Sequence, residues 1–126
     1  MKSKFFSKIT ILIILIMSIF TSLTNANYDK VFFDHTIKSI DGDIIDLSKY
    51  KNKVVLLVNV ASYCGFTKQY GDLQNLWDNY KEKGLIVIGI PSKSFGQEKE
   101  NENEIKNFCE VNFNITFPLT SIYEVK

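Results

Sequence analysis

The sequence predicts a single α/β domain built on a parallel strand–helix–strand unit, and three observations carry that prediction. Two runs, Val54-Val55-Leu56-Leu57-Val58-Asn59-Val60 and Leu85-Ile86-Val87-Ile88-Gly89-Ile90, are almost unbroken in aliphatic, largely β-branched residues. Such runs read as strands covered on both faces, the condition of a parallel sheet packed between helices. Between them Tyr70, Leu73, Leu76, Trp77 and Tyr80 recur at steps of three and four, the period of a helix with one apolar face. Strand, helix and strand within the 37 residues from Val54 to Ile90 make a right-handed βαβ unit, the hand that such crossovers take almost without exception.

The elements follow in order. Lys2, Lys4 and Lys8 precede an apolar stretch from Ile9 to Phe20, and Thr24 and Ala26 are small residues ahead of Asn27. This is the pattern of a secretory signal peptide over residues 1–26, which places the domain at 27–126 and the protein in an exported compartment: periplasmic, secreted or within the secretory pathway. An uncleaved anchor is the alternative. The apolar stretch has 12 residues, whereas roughly 20 are needed to cross a bilayer, so no stable membrane span is expected once the leader is removed. Val31-Phe32-Phe33 and Ile37 to Ile40 lead to Asp41-Gly42, and Ile44-Ile45-Asp46-Leu47 resumes the apolar pattern. Asp-Gly between two such runs predicts an N-terminal β-hairpin, because the turn needs positive φ and Gly supplies it freely. Ser48 to Lys53 is polar and reads as a short turn or helical loop. The first helix starts at Lys68 and Gly84 stops it; Pro91 stops the strand after it.

Ser92 to Lys99 is a polar loop containing Gly96 and Gln97. Glu98, Glu100, Glu102 and Glu104 then crowd the start of a second helix that carries Ile105, Phe108 and Cys109 on one face. Negative charge suits the positive end of a helix, so the acidic run reads as structural. Ile115 to Leu119 approaches a further strand.

Charge removes several classes of function. All 15 basic residues are lysine. With the leader's three set aside, 12 lysines face 14 acids, a net charge of −2 with no basic cluster for nucleic acid. Without arginine there is no planar fork to clamp a carboxylate or phosphate. His35, Cys64 and Cys109 are too few for a four-ligand structural zinc site of His and Cys, and nothing calls for a cofactor. The two cysteines, 45 residues apart, show none of the regularity of a disulfide framework.

Cys64 is the candidate nucleophile. It lies between the end of the first strand of the βαβ unit and the start of the helix, where the first helical N–H groups stabilise thiolate over thiol. A buried packing cysteine is the plainer reading of any free thiol. Cys64-Gly65-Phe66-Thr67 has the outline of a C-x-x-C redox site with Thr in the second cysteine position, set as in a thioredoxin-like arrangement. A lone thiolate there closes no local disulfide, which suits peroxide reduction or mixed-disulfide chemistry with a remote partner. A Cys–His hydrolase would need His35 as base, and no acyl-transfer motif surrounds Cys64.

Asn59-Val60-Ala61-Ser62-Tyr63-Cys64-Gly65-Phe66-Thr67-Lys68-Gln69-Tyr70 resembles the active-site segment of the glutathione peroxidase family in its cysteine form. Gly84 to Pro91, Phe95-Gly96-Gln97-Glu98, Glu104 to Cys109 and Thr116-Phe117-Pro118-Leu119 continue the likeness in order. The resemblance implies a thioredoxin-like fold of hairpin, βαβ core and following helix. It also implies a thiol-dependent peroxidase acting on hydrogen peroxide or on organic and lipid hydroperoxides, in oxidative-stress defence. Cys64 takes the place of the peroxidatic cysteine, Gln97 that of the Gln that helps activate the thiolate, and Cys109 that of the resolving cysteine. Periodicity alone makes Cys109 as well a packing residue as a resolving one, and for it to resolve, its helix must partly unwind. The reductant is a thioredoxin-type protein or glutathione, the former favoured by the absence of arginine. Family members continue into a further strand, a Trp-Asn-Phe segment and a last strand and helix, so on this reading the C-terminal strand and helix portion is missing. Trp77, among Leu73, Leu76 and Tyr80, reads as core instead. The alternatives are a thioredoxin-like thiol–disulfide oxidoreductase and an inactive truncated fragment of a peroxidase.

Overall fold

The computed structural model describes residues 31–126, so the leader over 1–26 and the cleavage point before Asn27 lie outside the described residues. The Asp41-Gly42 turn joins β1 (Thr36–Lys38) to β2 (Ile44–Asp46) as an antiparallel hairpin, with Gly42 at φ 90°. Ahead of it, Phe32–Asp34 forms a 3-10 turn where the apolar Val31-Phe32-Phe33 suggests extension. The cause is local: the Asp34 carboxylate accepts the Val31 N–H at 3.1 Å while the Asp34 N–H reaches the Val31 carbonyl at 2.9 Å, closing the turn on itself. Leu47–Tyr50 makes another 3-10 turn, opened by Asp46 accepting the Ser48 N–H.

β3 (Val54–Val60) and β4 (Leu85–Pro91) pair in parallel, Val54 opposite Leu85 and Val60 opposite Pro91. Between them runs α1 (Gln69–Tyr80), continued by a 3-10 turn at Lys81–Lys83 and stopped by Gly84 in the left-handed conformation at φ 95°. The βαβ unit therefore stands as the hydrophobic pattern predicts. Only β4 is buried along its length. β3 leaves Val54 69% and Leu57 44% exposed, against the expectation of two covered faces. Among the described residues β3 pairs with β4 alone, so its outer edge is open and its side chains are covered unevenly.

Alternation along β4 builds two apolar clusters. Val87 joins Val60, Tyr70, Ile105, Cys109, Ile115, Phe117 and Leu119, while Ile86 and Ile88 pack with Leu47 and the hairpin residues Ile37 and Ile45. Trp77 is partly buried against both clusters, a packing residue as its helical neighbours imply. α2 (Glu102–Phe113) starts on Asn101, whose side chain accepts the Glu104 N–H at 3.0 Å, and ends on Asn114 at φ 50°. The two helices meet where Tyr70 stacks on Phe113 at 5.3 Å.

After α2 the chain runs parallel beside β4 at Gly89. Gly89 N–H donates to the Pro118 carbonyl and Thr120 N–H to the Gly89 carbonyl, both at 2.9 Å, and on the other side Ser39 bridges to Thr120. The hairpin, the 119–120 segment, β4 and β3 are thus linked by main-chain bonds. The close approach favours glycine at position 89: a Cβ on it would stand 2.6 Å from Leu119 Cδ2, which would have to shift.

Candidate active site

β3 delivers the chain to Ser62, Tyr63 and Cys64 at the rim of the sheet. Cys64 is half-buried and unpaired, and the Phe66 N–H donates to its Sγ at 3.5 Å. α1 begins at Gln69, so the donor to sulfur is an N–H of the preceding turn rather than of the helix proper. Thr67 closes that turn. Its N–H donates to the Cys64 carbonyl at 3.1 Å, and its hydroxyl lies within hydrogen-bonding distance of the carbonyls of Cys64, Ala61 and Ser62. The residue in the second position of the C-x-x-C outline is thus a structural lock on the peptide that carries the thiol.

Beside Cys64 a crevice of about 70 Å³ opens between the end of β3 and α1, lined among others by Val60, Phe66, Thr67, Tyr70 and Leu73. That is room for a few water-sized groups. Tyr63, Phe66 and Phe95 stand exposed, the first two flanking Cys64 in the turn.

The other candidate residues are placed as follows. Gln97 is exposed, and its main chain is what meets the turn: its carbonyl accepts the Tyr63 N–H at 2.9 Å. Cys109 is fully buried in the core beneath α2, as the apolar face of its helix implies. Burial pushes its thiol up to about 11; the nearby Tyr70 hydroxyl opposes this, and the Glu98 and Glu110 charges add to it. The Tyr70 hydroxyl, raised above its ordinary value first by burial and then by Cys109, has no geometrically complete hydrogen bond among the described residues. His35 is exposed at the end of the first 3-10 turn and does not line the Cys64 crevice. Among the described residues no three His, Cys, Asp or Glu side chains gather as metal ligands, and no helix is long and apolar enough to cross a membrane.

One residue of the site escapes sequence reasoning. Glu98, read there as part of the acidic approach to α2, is instead buried against the Cys64 turn, its Oε1 accepting the Ser62 N–H at 3.0 Å. Nothing in an acidic run distinguishes the one member that turns inward.

The glutathione peroxidase family model matches residues 32–126. The chain belongs to the glutathione peroxidase family. Among curated relatives, the glutathione peroxidase-like peroxiredoxin 2 of Saccharomyces cerevisiae is 41% identical over 95 residues, covering 75% of this chain and 59% of that protein. The hydroperoxy fatty acid reductase gpx1 of Synechocystis is 40% identical over 101 residues, covering 79% and 60%. The chain thus spans about three-fifths of the length of these glutathione peroxidase relatives. The crystal structure of Trgpx in apo form is similar with a TM-score of 0.57 and 34% identity, covering 79% of this chain and 57% of that one. A secreted Mycobacterium tuberculosis disulfide oxidoreductase homologous to Escherichia coli DsbE reaches a TM-score of 0.56 at 15% identity, a likeness of fold alone. The fold is thioredoxin-like, as the likeness to the family implies.

Proposed function

We propose that this chain is a thiol-dependent peroxidase of hydrogen peroxide or organic hydroperoxides, with Cys64 as the nucleophile. The observation that carries the reading is the contrast between the two thiols. Cys64 is partly exposed beside a small crevice with an N–H on its sulfur, whereas Cys109 is sealed in the core. The Cys64 thiolate attacks the outer peroxide oxygen. The S–O bond forms as the O–O bond breaks, and the alkoxide or hydroxide leaves with a proton, leaving a sulfenic acid. Cys109 then condenses with it, releasing water and closing a disulfide. A dithiol of a thioredoxin-type protein restores both thiols, a reductant favoured over glutathione by the absence of arginine. Gln97 takes part by supporting the thiolate, its main chain being already fixed to the turn at Tyr63.

The Lys2 to Ala26 pattern supports export of a domain spanning 27–126, which N-terminal sequencing of the secreted chain would test. The position of Thr67 weighs against a dithiol oxidoreductase, because its hydroxyl is engaged with the turn that holds Cys64.

The test is hydroperoxide consumption coupled to thioredoxin, thioredoxin reductase and NADPH, beside reduction of insulin disulfides. Turnover of hydroperoxide that Cys64→Ser abolishes is expected. Insulin reduction without hydroperoxide turnover would overturn the proposal in favour of the oxidoreductase, and absence of both would mark this chain as inactive by itself. Peptide mapping after peroxide treatment is expected to find a Cys64–Cys109 disulfide. Over-oxidised Cys64 beside a free Cys109 would remove Cys109 from the cycle.

A further inference from the structure

Glu98 is 7% exposed, an unusual depth for a carboxylate. Oε1 accepts two main-chain N–H groups, from Ser62 at 3.0 Å and from Lys99 at 2.8 Å. Oε2 is enclosed with no hydrogen-bond partner among the described residues, and the Ser62 and Tyr70 hydroxyls are enclosed in the same condition. A buried carboxylate with half its acceptor capacity unused costs stability that an apolar side chain of similar volume would not. A cost of this kind, carried where the chain approaches its reactive thiol, points to a task other than holding the fold together.

The placement says what the task is. Ser62 lies two residues before Cys64, and the next N–H, that of Tyr63, is held by the Gln97 carbonyl at 2.9 Å. Lys99 Nζ then bonds the Tyr63 hydroxyl at 2.9 Å and stands 5.3 Å from the Phe108 ring centre. Three consecutive residues, Gln97 to Lys99, thus grip the two residues ahead of the thiol from one side, while Thr67 grips Cys64 from the other. Of these contacts, the bond from Ser62 N–H to Glu98 is buried, and therefore the least exposed to competition from water.

We propose that Glu98 is a positioning residue for Cys64: its bond to the Ser62 N–H fixes the peptide entering the turn, so that Sγ faces the Phe66 N–H and the adjoining crevice. The reaction this serves rests on the peroxidase reading, but the reactivity of the thiol is measurable without it. The role belongs to the acceptor oxygen. Gln keeps that oxygen and turns the unpartnered one into a donor; Ala removes both; Asp withdraws them by one methylene.

The experiment follows alkylation of Cys64 by iodoacetamide across pH, resolved by peptide mass spectrometry so that Cys109 remains in place, with trapping of the sulfenic acid formed by hydrogen peroxide. Glu98→Ala is expected to slow both reactions about tenfold or more, the scale on which misplacement of a reacting group acts, and Glu98→Gln to stay within about threefold of the parent chain. Asn101→Ala, which removes the cap of α2 away from the turn, is the stability control, expected to lower the melting temperature and leave the rate of Cys64 alkylation alone. If Glu98→Ala does not fold, the comparison of Glu98→Gln with Glu98→Asp decides, Asp being the slower. Folded Glu98→Ala with parental rates, Gln as slow as Ala, Asp as fast as Gln, or Asn101→Ala slowing Cys64 equally would each overturn the proposal. Alkylation that depends on Glu98 in a chain that consumes no hydroperoxide refutes the peroxidase reading alone. Hydroperoxide turnover untouched by folded Glu98→Ala refutes this one alone.

Discussion

Cys109 binds its proton more tightly in the folded chain than outside it, and the sign of the consequence is fixed. Below about pH 9, the thiol's ordinary value, both folded and unfolded chains are protonated and nothing is lost. Between there and about 11 the unfolded chain gives up the proton while the folded one keeps it, so stability falls as pH rises. The loss is of the order of 2 kcal/mol by pH 11. Tyr70 pulls in the same direction at higher pH. Urea unfolding at pH 8, 9, 10 and 11 is expected to show a steeper decline for the parent chain than for Cys109→Ala; parallel declines would refute the assignment. Gly89 offers a second test at this scale. Gly89→Ala would push a methyl against Leu119 and Phe117, at 2.6 and 3.3 Å, and is expected to cost about 1–3 kcal/mol by the same unfolding measurement.

The elements divide into those that local pattern determines and those that it does not. The hairpin at Gly42, the stop at Gly84 and the βαβ core were legible because each rests on a periodicity or on a φ that one residue type supplies. The 3-10 turn at Phe32–Asp34 was not, since a single side-chain bond from Asp34 outweighs three apolar letters. The open edge of β3 was not either: a continuous apolar run announces a strand but does not state how many neighbours that strand has. At the candidate site, the position of Cys64 between strand and helix was legible in the pattern of the two elements. Glu98 was hidden, because inward rotation of one acid among four depends on a contact 36 residues away. Two measurements belong here. Asn101→Ala is expected to lose about 1 kcal/mol through its cap on α2. Val54, exposed on β3 beside the apolar Leu76, Tyr80 and Leu85, marks an edge suited to unwanted pairing. Val54→Lys should therefore lower light scattering of concentrated protein with a change in stability within about 0.5 kcal/mol.

Across the whole molecule, the two cysteines belong to different mechanical parts. Cys64 sits on a turn fastened by Thr67 and by the 97–99 segment, and Cys109 belongs to the cluster that joins both helices to β4. A sulfur with no exposed surface reacts only in those moments when its surroundings part. Any chemistry at Cys109, whether with a dye or with an oxidised Cys64, is then timed by the spontaneous opening of α2. The amide hydrogens of Ile105 and Cys109 keep the same time. Their exchange with deuterium and the labelling of the Cys109 thiol should slow together when the helix is strengthened and quicken together when Asn101 is lost. The buried thiol is in this sense a clock for the native state, and where closure of the disulfide waits on it, its ticking sets the interval in which a sulfenic acid at Cys64 stays open to further oxidation.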